Sequence, residues 1–215
     1  MQRRMLRENV MGYAHVISEY LRDVFSLPKP LLERIGVDVE QDAYHVRFFT
    51  DVLLIKEGGV TWKDGQRAFE TVAIVVLKYM LYTGSRGAKA YGDWVSFKDI
   101  NGSGPFVGAF RQNVELRLET SFEGKAAILK SACERLGGVC LDLPNYYLAY
   151  EFVALPMIRL RLYFNDKEEI FPPKSVVLFD GSIERYLDVE CIAALGWIFA
   201  DLLQEDIKNS PSFLI

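Results

Sequence analysis

The chain has 215 residues, of which 50% are apolar and 25% charged, a composition typical of folded globular proteins with a sizeable core. Its formal net charge is −4, which argues against sequence-independent nucleic-acid binding, because that needs a concentrated basic surface. The basic N-terminal residues are followed by interspersed polar side chains, so neither a signal peptide nor a membrane span is expected. We therefore expect a cytoplasmic protein with no nucleic-acid or membrane partner.

Hydrophobic periodicity predicts the elements of the first third of the chain. Apolar residues recur at steps of three and four in the N-terminal segment, as in an amphipathic helix, whereas Tyr44, Val46 and Phe48 alternate with polar residues, as in a half-buried strand. In chain order we predict a helix over residues 3–25, a strand over 44–48, a hairpin over 52–62 that turns at Gly58-Gly59, and a helix over 67–82 that Gly84 caps.

The remaining two thirds alternate again between helical and strand-like patterns. Phe110, Val114, Leu118 and Phe122 are four residues apart, which predicts one buried stripe on a helix. Because two prolines remove two amide donors, Phe171-Pro172-Pro173 is predicted to be an extended segment at a sheet edge. In chain order we predict a strand over 94–100, a helix from Pro105 to Phe122, a helix over 125–136, strands over 146–154, 157–164 and 175–179, and a helix over 189–203 that Asp188 caps.

This order predicts an α+β fold, with a mixed or mainly antiparallel sheet flanked by helices in a single domain over residues 1–215. A weak β-β-α recurrence relates residues 44–82 to residues 157–203. Two explanations remain open for this recurrence: an internal duplication, or chance repetition of a common arrangement.

The segment from Gly84 to Arg111 is rich in both glycine and aromatic residues and is predicted to form the binding site. Glycine allows close backbone approach, aromatic rings offer contact area, and helix-start amides together with Arg111 favour an anion. Structural closure of a loop is the alternative explanation. The predicted binding residues are Gly84, Ser85, Arg86, Gly87, Lys89, Tyr91, Trp94, Ser96, Phe110 and Arg111.

Recognisable catalytic, metal and cofactor motifs are scarce. Cys133, Cys140 and Cys191 form no C-x-x-C pair and have no histidine at zinc-ligand spacing, so we expect no metal site and interpret them as core thiols. The glycines of residues 102–108 are spaced one residue wider than a dinucleotide-binding fingerprint. Arg159 and Arg161 fall on one face of a strand, where they could receive an anion or simply lie on an exposed sheet. No cofactor is implied and no catalytic residue is assigned.

Two groups of residues resemble a known family. The first is Gly92-x-Trp94-x-Ser96-Phe97 with Gly108-x-Phe110-Arg111; the second runs from Leu155-Pro156 through Phe171-Pro172-Pro173 and Leu178-Phe179-Asp180 to Leu195-Gly196. Together they resemble domain of unknown function 3786, found in small cytoplasmic proteins of anaerobic bacteria and archaea. The resemblance implies no activity. Some members carry a cysteine-rich iron–sulphur module, which implies an iron–sulphur or corrinoid protein as a partner.

Two functional hypotheses follow. The first is a non-catalytic binding or accessory protein linked to metallocofactor or one-carbon metabolism; the second is an enzyme whose small anionic substrate is bound by the 84–111 region. An enzyme should place a buried acid or histidine against the cations of a concave pocket. An accessory protein should instead expose an apolar patch.

Overall fold

The computed structural model describes the main chain of residues 2–86 and 92–208, and the side chains of residues 13–82 and 92–205. The helices are α1 Gln2–Phe25, α2 Lys29–Glu33, α3 Glu70–Arg86, α4 Val107–Phe110, α5 Leu116–Phe122, α6 Ala126–Arg135 and α7 Val189–Lys208. The strands are β1 Asp38–Val39, β2 Tyr44–Phe48, β3 Asp51–Lys56, β4 Gly59–Trp62, β5 Trp94–Ser96, β6 Val139–Cys140, β7 Leu148–Leu155, β8 Ile158–Asn165 and β9 Lys174–Asp180.

These strands form two antiparallel sheets. The first has the order β1-β2-β3-β4 and the second the order β5-β9-β8-β7-β6. Helices accompany both sheets, and side chains from both sheets belong to one buried hydrophobic cluster. The predicted α+β class is confirmed, with two antiparallel sheets in place of the single sheet expected from the sequence.

The same order of elements occurs twice along the chain. In what we call the N-terminal unit, α1 and α2 precede the consecutive antiparallel strands β1 to β4, and α3 follows them. In the C-terminal unit, α4–α5 and α6 precede β6 to β9, and α7 follows. Counted this way, β4 corresponds to β9, one strand later than the recurrence seen in the sequence. The correspondence does not distinguish an internal duplication from chance repetition, and both explanations stay open.

The contacts between the units are reciprocal at two glycines. Gly36 follows α2 and Gly137 follows α6, with φ of 78° and 76° respectively, a conformation that favours glycine. A Cβ on Gly36 would lie 2.5 Å from Cβ of Pro156 in the β7–β8 turn, and one on Gly137 would lie 2.8 Å from Cγ2 of Thr50 in the β2–β3 turn. Each unit therefore presents a glycine to the hairpin turn of the other.

The predicted buried stripe is confirmed, since Phe110, Val114, Leu118 and Phe122 are all buried. Steps of four residues overshoot each turn of an α-helix by about 40°, so a long stripe at this spacing would drift around the helix. Between α4 and α5, residues Arg111–Glu115 form a wider π-helical turn. The wider turn offsets the drift and keeps the stripe on one face.

Several predicted boundaries are wrong. The strand predicted over 94–100 ends at Ser96, because Phe97 turns inward and its ring stacks on Phe110 at 4.3 Å between centroids. Gly84 lies within α3, which continues to Arg86, and does not cap it. The short elements α2, β1 and β6 were not predicted, because elements of two to five residues carry too little periodicity. The proline segment does precede its strand, which begins at Lys174.

Candidate functional site

The structure places the sequence-predicted site residues in different surroundings. Gly87, Lys89 and Tyr91 lie outside the described residues, and Gly84, Ser85 and Arg86 are described only as main chain in the last turn of α3. Phe110 is buried in the core. Trp94, Ser96 and Arg111 have described side chains: the Ser96 hydroxyl donates to Oδ2 of Asp99, and Trp94 and Arg111 belong to two separate charged clusters. That these ten residues form one binding site stays a prediction.

Arg111 belongs to a charged cluster that covers the edge of β9. Its Nη1 and Nη2 donate to Oε1 and Oε2 of Glu119 at 2.9 and 2.8 Å. Glu119 Oε1 also accepts from the main-chain amide of Ser175 at 2.8 Å, and Glu115 Oε1 accepts from that of Val177 at 3.2 Å. Because β5 pairs with β9 only at residues 178–180, these carboxylates receive amides that an adjacent strand would otherwise satisfy.

The electrostatics of this cluster follow from its partial burial. The side chain of Glu119 is 6% exposed and that of Arg111 is 47% exposed. The hydrogen bonds from Arg111 to Glu119 raise the pKa of the guanidinium, which therefore stays charged. Burial raises the pKa of Glu115, and the bond from the Val177 amide and the nearby Arg111 charge offset part of that rise. The two carboxylates and the arginine thus act together as a cap on β9.

Trp94 lies in a second cluster, on the face of the second sheet that is turned away from the core. The guanidinium of Arg161 lies 3.9 Å from the centre of the Trp94 ring and donates from Nε and Nη2 to Oε2 of Glu151 at 2.9 and 2.8 Å. Arg159 donates from Nη1 to Oε1 of the same glutamate at 3.1 Å. The two arginines predicted to share a strand face therefore share one carboxylate, as cross-strand ion pairs commonly do.

A buried carboxylate anchors the start of β5. Asp180 is 3% exposed, and its Oδ1 accepts from the amides of Gly92 and Ser182, both at 2.9 Å, and from the Ser182 hydroxyl at 2.6 Å. Gly181 lies against the main chain of Asp93, where a Cβ would be 2.7 Å from the carbonyl oxygen. These contacts fix the geometry of the chain just before Trp94, and Asp180 is too buried to meet a substrate.

A concave surface of about 1030 Å³ opens beside the Arg111 cluster, and we call it the aromatic groove. Its lining comes from three parts of the chain: Arg111, Leu116 and Glu119, which we call its floor, and residues within 144–147 and within 165–174, which we call its two walls. Tyr147 and Phe171, one on each wall, are 68% and 62% exposed. Exposed apolar side chains that are grouped at one place are typical of interaction surfaces.

The groove exists because two loops of the C-terminal unit are long. The β6–β7 loop spans residues 141–147 and the β8–β9 loop spans 166–173, whereas the corresponding loops of the N-terminal unit span only residues 40–43 and 57–58. Both walls are hydrogen-bonded. The amide of Tyr147 donates to Asn165 Oδ1 at 2.7 Å, and Glu168 and Phe171 exchange two main-chain bonds of 3.0 and 3.2 Å. The exposed rings are therefore presented by ordered loops.

Sequence reasoning did not find the groove. Its signal was present as apolar and aromatic residues in segments that otherwise read as turns, at Pro144-Asn145-Tyr146-Tyr147 and Ile170-Phe171-Pro172-Pro173. We assigned Tyr146 and Tyr147 to a strand that in fact begins at Leu148, and interpreted Phe171 as part of a stiff connection. Because residues 144–147 and 165–174 are separated in the chain, only the fold shows that they line one surface.

The cysteines and other metal-ligating side chains show no clustering within the described ranges. No group of three or more histidine, cysteine, aspartate or glutamate residues there could hold a metal ion. Burial raises the pKa of Cys133 and of Cys191, which keeps both groups as thiols. Both are core thiols as predicted, whereas the same prediction is wrong for Cys140, which is exposed on the short edge strand β6. In the part of the chain that the structure describes, no helix has both the length and the apolar character needed to span a bilayer.

Comparison with known proteins identifies a family and no individual relative. Neither the curated proteins nor the solved structures yielded a match to this chain. One family model matches residues 28–202, which include most of the N-terminal unit, the groove and both charged clusters. The chain belongs to the family described as domain of unknown function (DUF3786).

Proposed function

We propose that the protein is a cytoplasmic, non-catalytic binding protein that docks a partner polypeptide in the aromatic groove. The observation that carries this proposal is the concentration of exposed apolar side chains at one place. Leu116, Tyr146, Tyr147 and Phe171 all line the groove. Exposed apolar surface is costly in water, so its concentration in ordered loops favours a surface that a partner covers.

The chemistry of the groove supports binding over catalysis. A buried acid does meet a cation there, as an active site would require, but Glu119 already accepts two bonds from Arg111 and one from Ser175. Glu115 likewise accepts the amide of Val177. Carboxylates held in this way serve the fold and are poorly placed to exchange protons with a substrate. Arg111, with both terminal nitrogens donating to Glu119, is likewise a weak receptor for a small anion.

The resemblance that the sequence carries indicates an iron–sulphur or corrinoid protein as the partner, linked to metallocofactor or one-carbon metabolism. In this proposal the chain itself carries no redox group; it binds the protein that does. Such an accessory role needs a docking surface and no catalytic constellation.

Affinity capture with matched variants tests the proposal. The wild-type chain, a Tyr147→Ser/Phe171→Ser variant and a Phe69→Ser control are immobilised and exposed to an anoxic extract of the source organism. Phe69 is 79% exposed and lies outside the groove, so the control removes an equally accessible ring from another place. Iron and cobalt are measured in the eluates, and retained proteins are identified and tested again after purification.

The expected result is a protein containing iron or cobalt that the wild type and the Phe69 control retain and the groove variant loses. Retention by all three chains would show that the groove is not the docking surface. A retained partner that contains neither metal would preserve the binding role and remove the metallocofactor assignment. Circular dichroism and thermal melting confirm that each variant is folded.

A further inference from the structure

The aromatic groove differs in size and openness from an ordinary small-molecule pocket. Its volume of about 1030 Å³ lies at the upper limit of small-ligand sites, which range from about 300 to 1,000 Å³. It is a partly open surface lined by residues of both loops, which include the rings of Tyr146, Tyr147 and Phe171. A partly open surface of this size can admit a chain segment as well as a compact ligand.

The groove lining is rich in rings that recognise extended chains. Tyr146 stacks on Tyr163 with centroids 4.4 Å apart, which fixes one wall, and Pro172-Pro173 stiffens the other. Aromatic-lined grooves of this kind accept polyproline II segments, because the preformed extended helix packs its rings against aromatic faces at little entropic cost. An apolar segment rich in proline therefore fits the walls.

The charged side chains along the groove indicate a second property of the segment that it would bind. At the floor, Arg111 forms ion pairs with Glu119 and with the neighbouring Glu115, and the charge of Lys174, at the end of one wall, acts on Glu115, so two cations balance two carboxylates. On the wall formed by the β8–β9 loop, Asp166 accepts hydrogen bonds from the uncharged amides of Gly124 and Lys167. Glu168 also lies there, and it forms no ion pair within the described part of the chain. Lys167, between these two acids in the chain, pairs instead with Glu123, with 3.2 Å between Nζ and Oε1. Within the described residues, Asp166 and Glu168 are therefore acids without an ion pair.

We infer that the groove binds an extended, proline-containing segment that carries a basic residue, with the rings of Tyr147 and Phe171 holding the prolines and Asp166 and Glu168 receiving the basic side chain. This inference rests on the proposed function, whose partner it specifies by chemistry. Both walls are hydrogen-bonded before any partner arrives, so little entropy is lost when the segment binds.

Fluorescence anisotropy with defined peptides tests the inference. The probe is a short fluorescein-labelled peptide of proline, leucine and arginine. The first comparison peptide has glutamate at the arginine positions, and the second has glycine at the proline positions. The purified chain is compared with Tyr147→Ser, Phe171→Ser and Glu168→Lys. Glu57→Lys is the matched control, because Glu57 is an exposed acid in the β3–β4 turn, at the place in the N-terminal unit that corresponds to the β8–β9 loop.

We expect saturable binding of the proline–arginine peptide and a loss of affinity of about tenfold or more for each groove variant, with Glu57→Lys unchanged. The glutamate peptide should bind Glu168→Lys better than it binds the wild type. Equal binding of the glycine peptide would overturn the extended-proline requirement, and equal binding of the glutamate peptide would overturn the basic one.

The peptide experiment and the capture experiment can fail independently, so together they distinguish the inferred segment from the proposed docking function. If no peptide binds while the metalloprotein is still retained through the groove, the inferred segment is wrong and the proposed docking function stands. If the peptides bind as expected while capture is independent of Tyr147 and Phe171, the groove recognises such segments but the proposed metalloprotein does not dock there.

Discussion

The N-terminal and C-terminal units share one order of elements and differ in what their loops carry. Each has a helix that ends before a glycine with positive φ, then four consecutive antiparallel strands, then a long helix. The N-terminal unit closes β3 and β4 with residues 57–58, whereas the C-terminal unit places eight residues, 166–173, at the same point. The comparison shows that the strands and helices provide the frame, and that the lengths of two loops decide which unit carries a groove.

Loop growth at this position has little cost for the frame. The entropy of closing a loop rises slowly with its length, and the pairing of Asn165 with Lys174 keeps β8 and β9 in register whatever lies between them. The longer loop also forms its own contacts, since Asp166 accepts the Gly124 amide. A frame that tolerates such insertions is a common basis for binding sites.

The largest expected effect concerns Phe110, which the sequence predicted as a binding residue and the structure places in the frame. Its ring stacks on Phe97 and meets Phe179 edge-on. Phe110→Ala should lower the free energy of unfolding by about 3–5 kcal/mol, because it leaves a cavity in a packed core. Urea denaturation measures the change. Phe69→Ala, which removes an exposed ring, should leave the free energy of unfolding within about 0.5 kcal/mol of wild type. An equal loss in both variants would contradict the placement of Phe110 in the core.

The reciprocal glycines test the contact between the units. Gly36→Ala should cost about 2–4 kcal/mol, from a left-handed backbone at about 1–2 kcal/mol plus overpacking against the Pro156 ring. Gly65→Ala is the matched control, because Gly65 also has positive φ but nothing lies within 4 Å of its Cβ position. Gly137→Ala should fall between them, since the Thr50 side chain can rotate away. Equal costs at Gly36 and Gly65 would show that the turn contact contributes nothing.

The two carboxylates that cap β9 should respond differently to neutralisation. Glu119→Gln weakens the paired bonds from Arg111 and should cost about 1–3 kcal/mol. At Glu115, burial raises the folded-state pKa above 4.5, the usual value for a glutamate. A raised pKa means that the folded protein holds this proton more tightly, so the associated stability is present below pH 4.5 and is lost as the pH rises through the raised pKa.

Glu115→Gln should therefore remove a fall in stability with rising pH. Urea denaturation of wild type and variant at a series of pH values above 4.5 measures this. The variant should gain relative to wild type as the pH increases, and a constant difference across the series would contradict the role of burial at Glu115.

The smallest expected effect on stability comes from the change that alters the groove most. Replacing residues 166–173 by Asn-Gly would give β8 and β9 the short turn that β3 and β4 have, since Asn-Gly favours a two-residue hairpin turn. Stability should change by about 1 kcal/mol or less, while binding of the proline–arginine peptide should be lost. A shortened chain that still binds the peptide would show that the β8–β9 loop is not a wall of the site.

Elements that are long and strongly periodic could be predicted from the sequence, and very short ones could not. Strand β2 and the hairpin after it were predicted closely, because Tyr44, Val46 and Phe48 alternate with polar residues and two glycines mark the turn. The Asp188 cap of α7 is confirmed by its Oδ1, which accepts the Cys191 amide at 2.9 Å. Strands of two residues, such as β1 and β6, have no pattern to detect.

The site depended on information that a linear pattern does not contain. Arg111 was chosen for its charge and its place near a helix start. In the structure Glu119, a buried residue eight positions further along the chain, accepts hydrogen bonds from both of its terminal nitrogens. The pattern also did not show that Glu115 and Glu119 would accept amides from a strand about 60 residues away. Polar residues are satisfied by whichever groups the fold brings near them, and that is settled only when the chain has packed.

The sequence by itself determined the α+β class, the buried faces of the long helices and strands, and the family, because hydrophobic periodicity and a long motif are local properties of the chain. The tertiary structure alone decided that there are two sheets, that Gly36 faces Pro156 while Gly137 faces Thr50, and that two loops separated by β7 and β8 form the aromatic groove. These features arise where distant segments meet, and such contacts are fixed by the packing of the whole core.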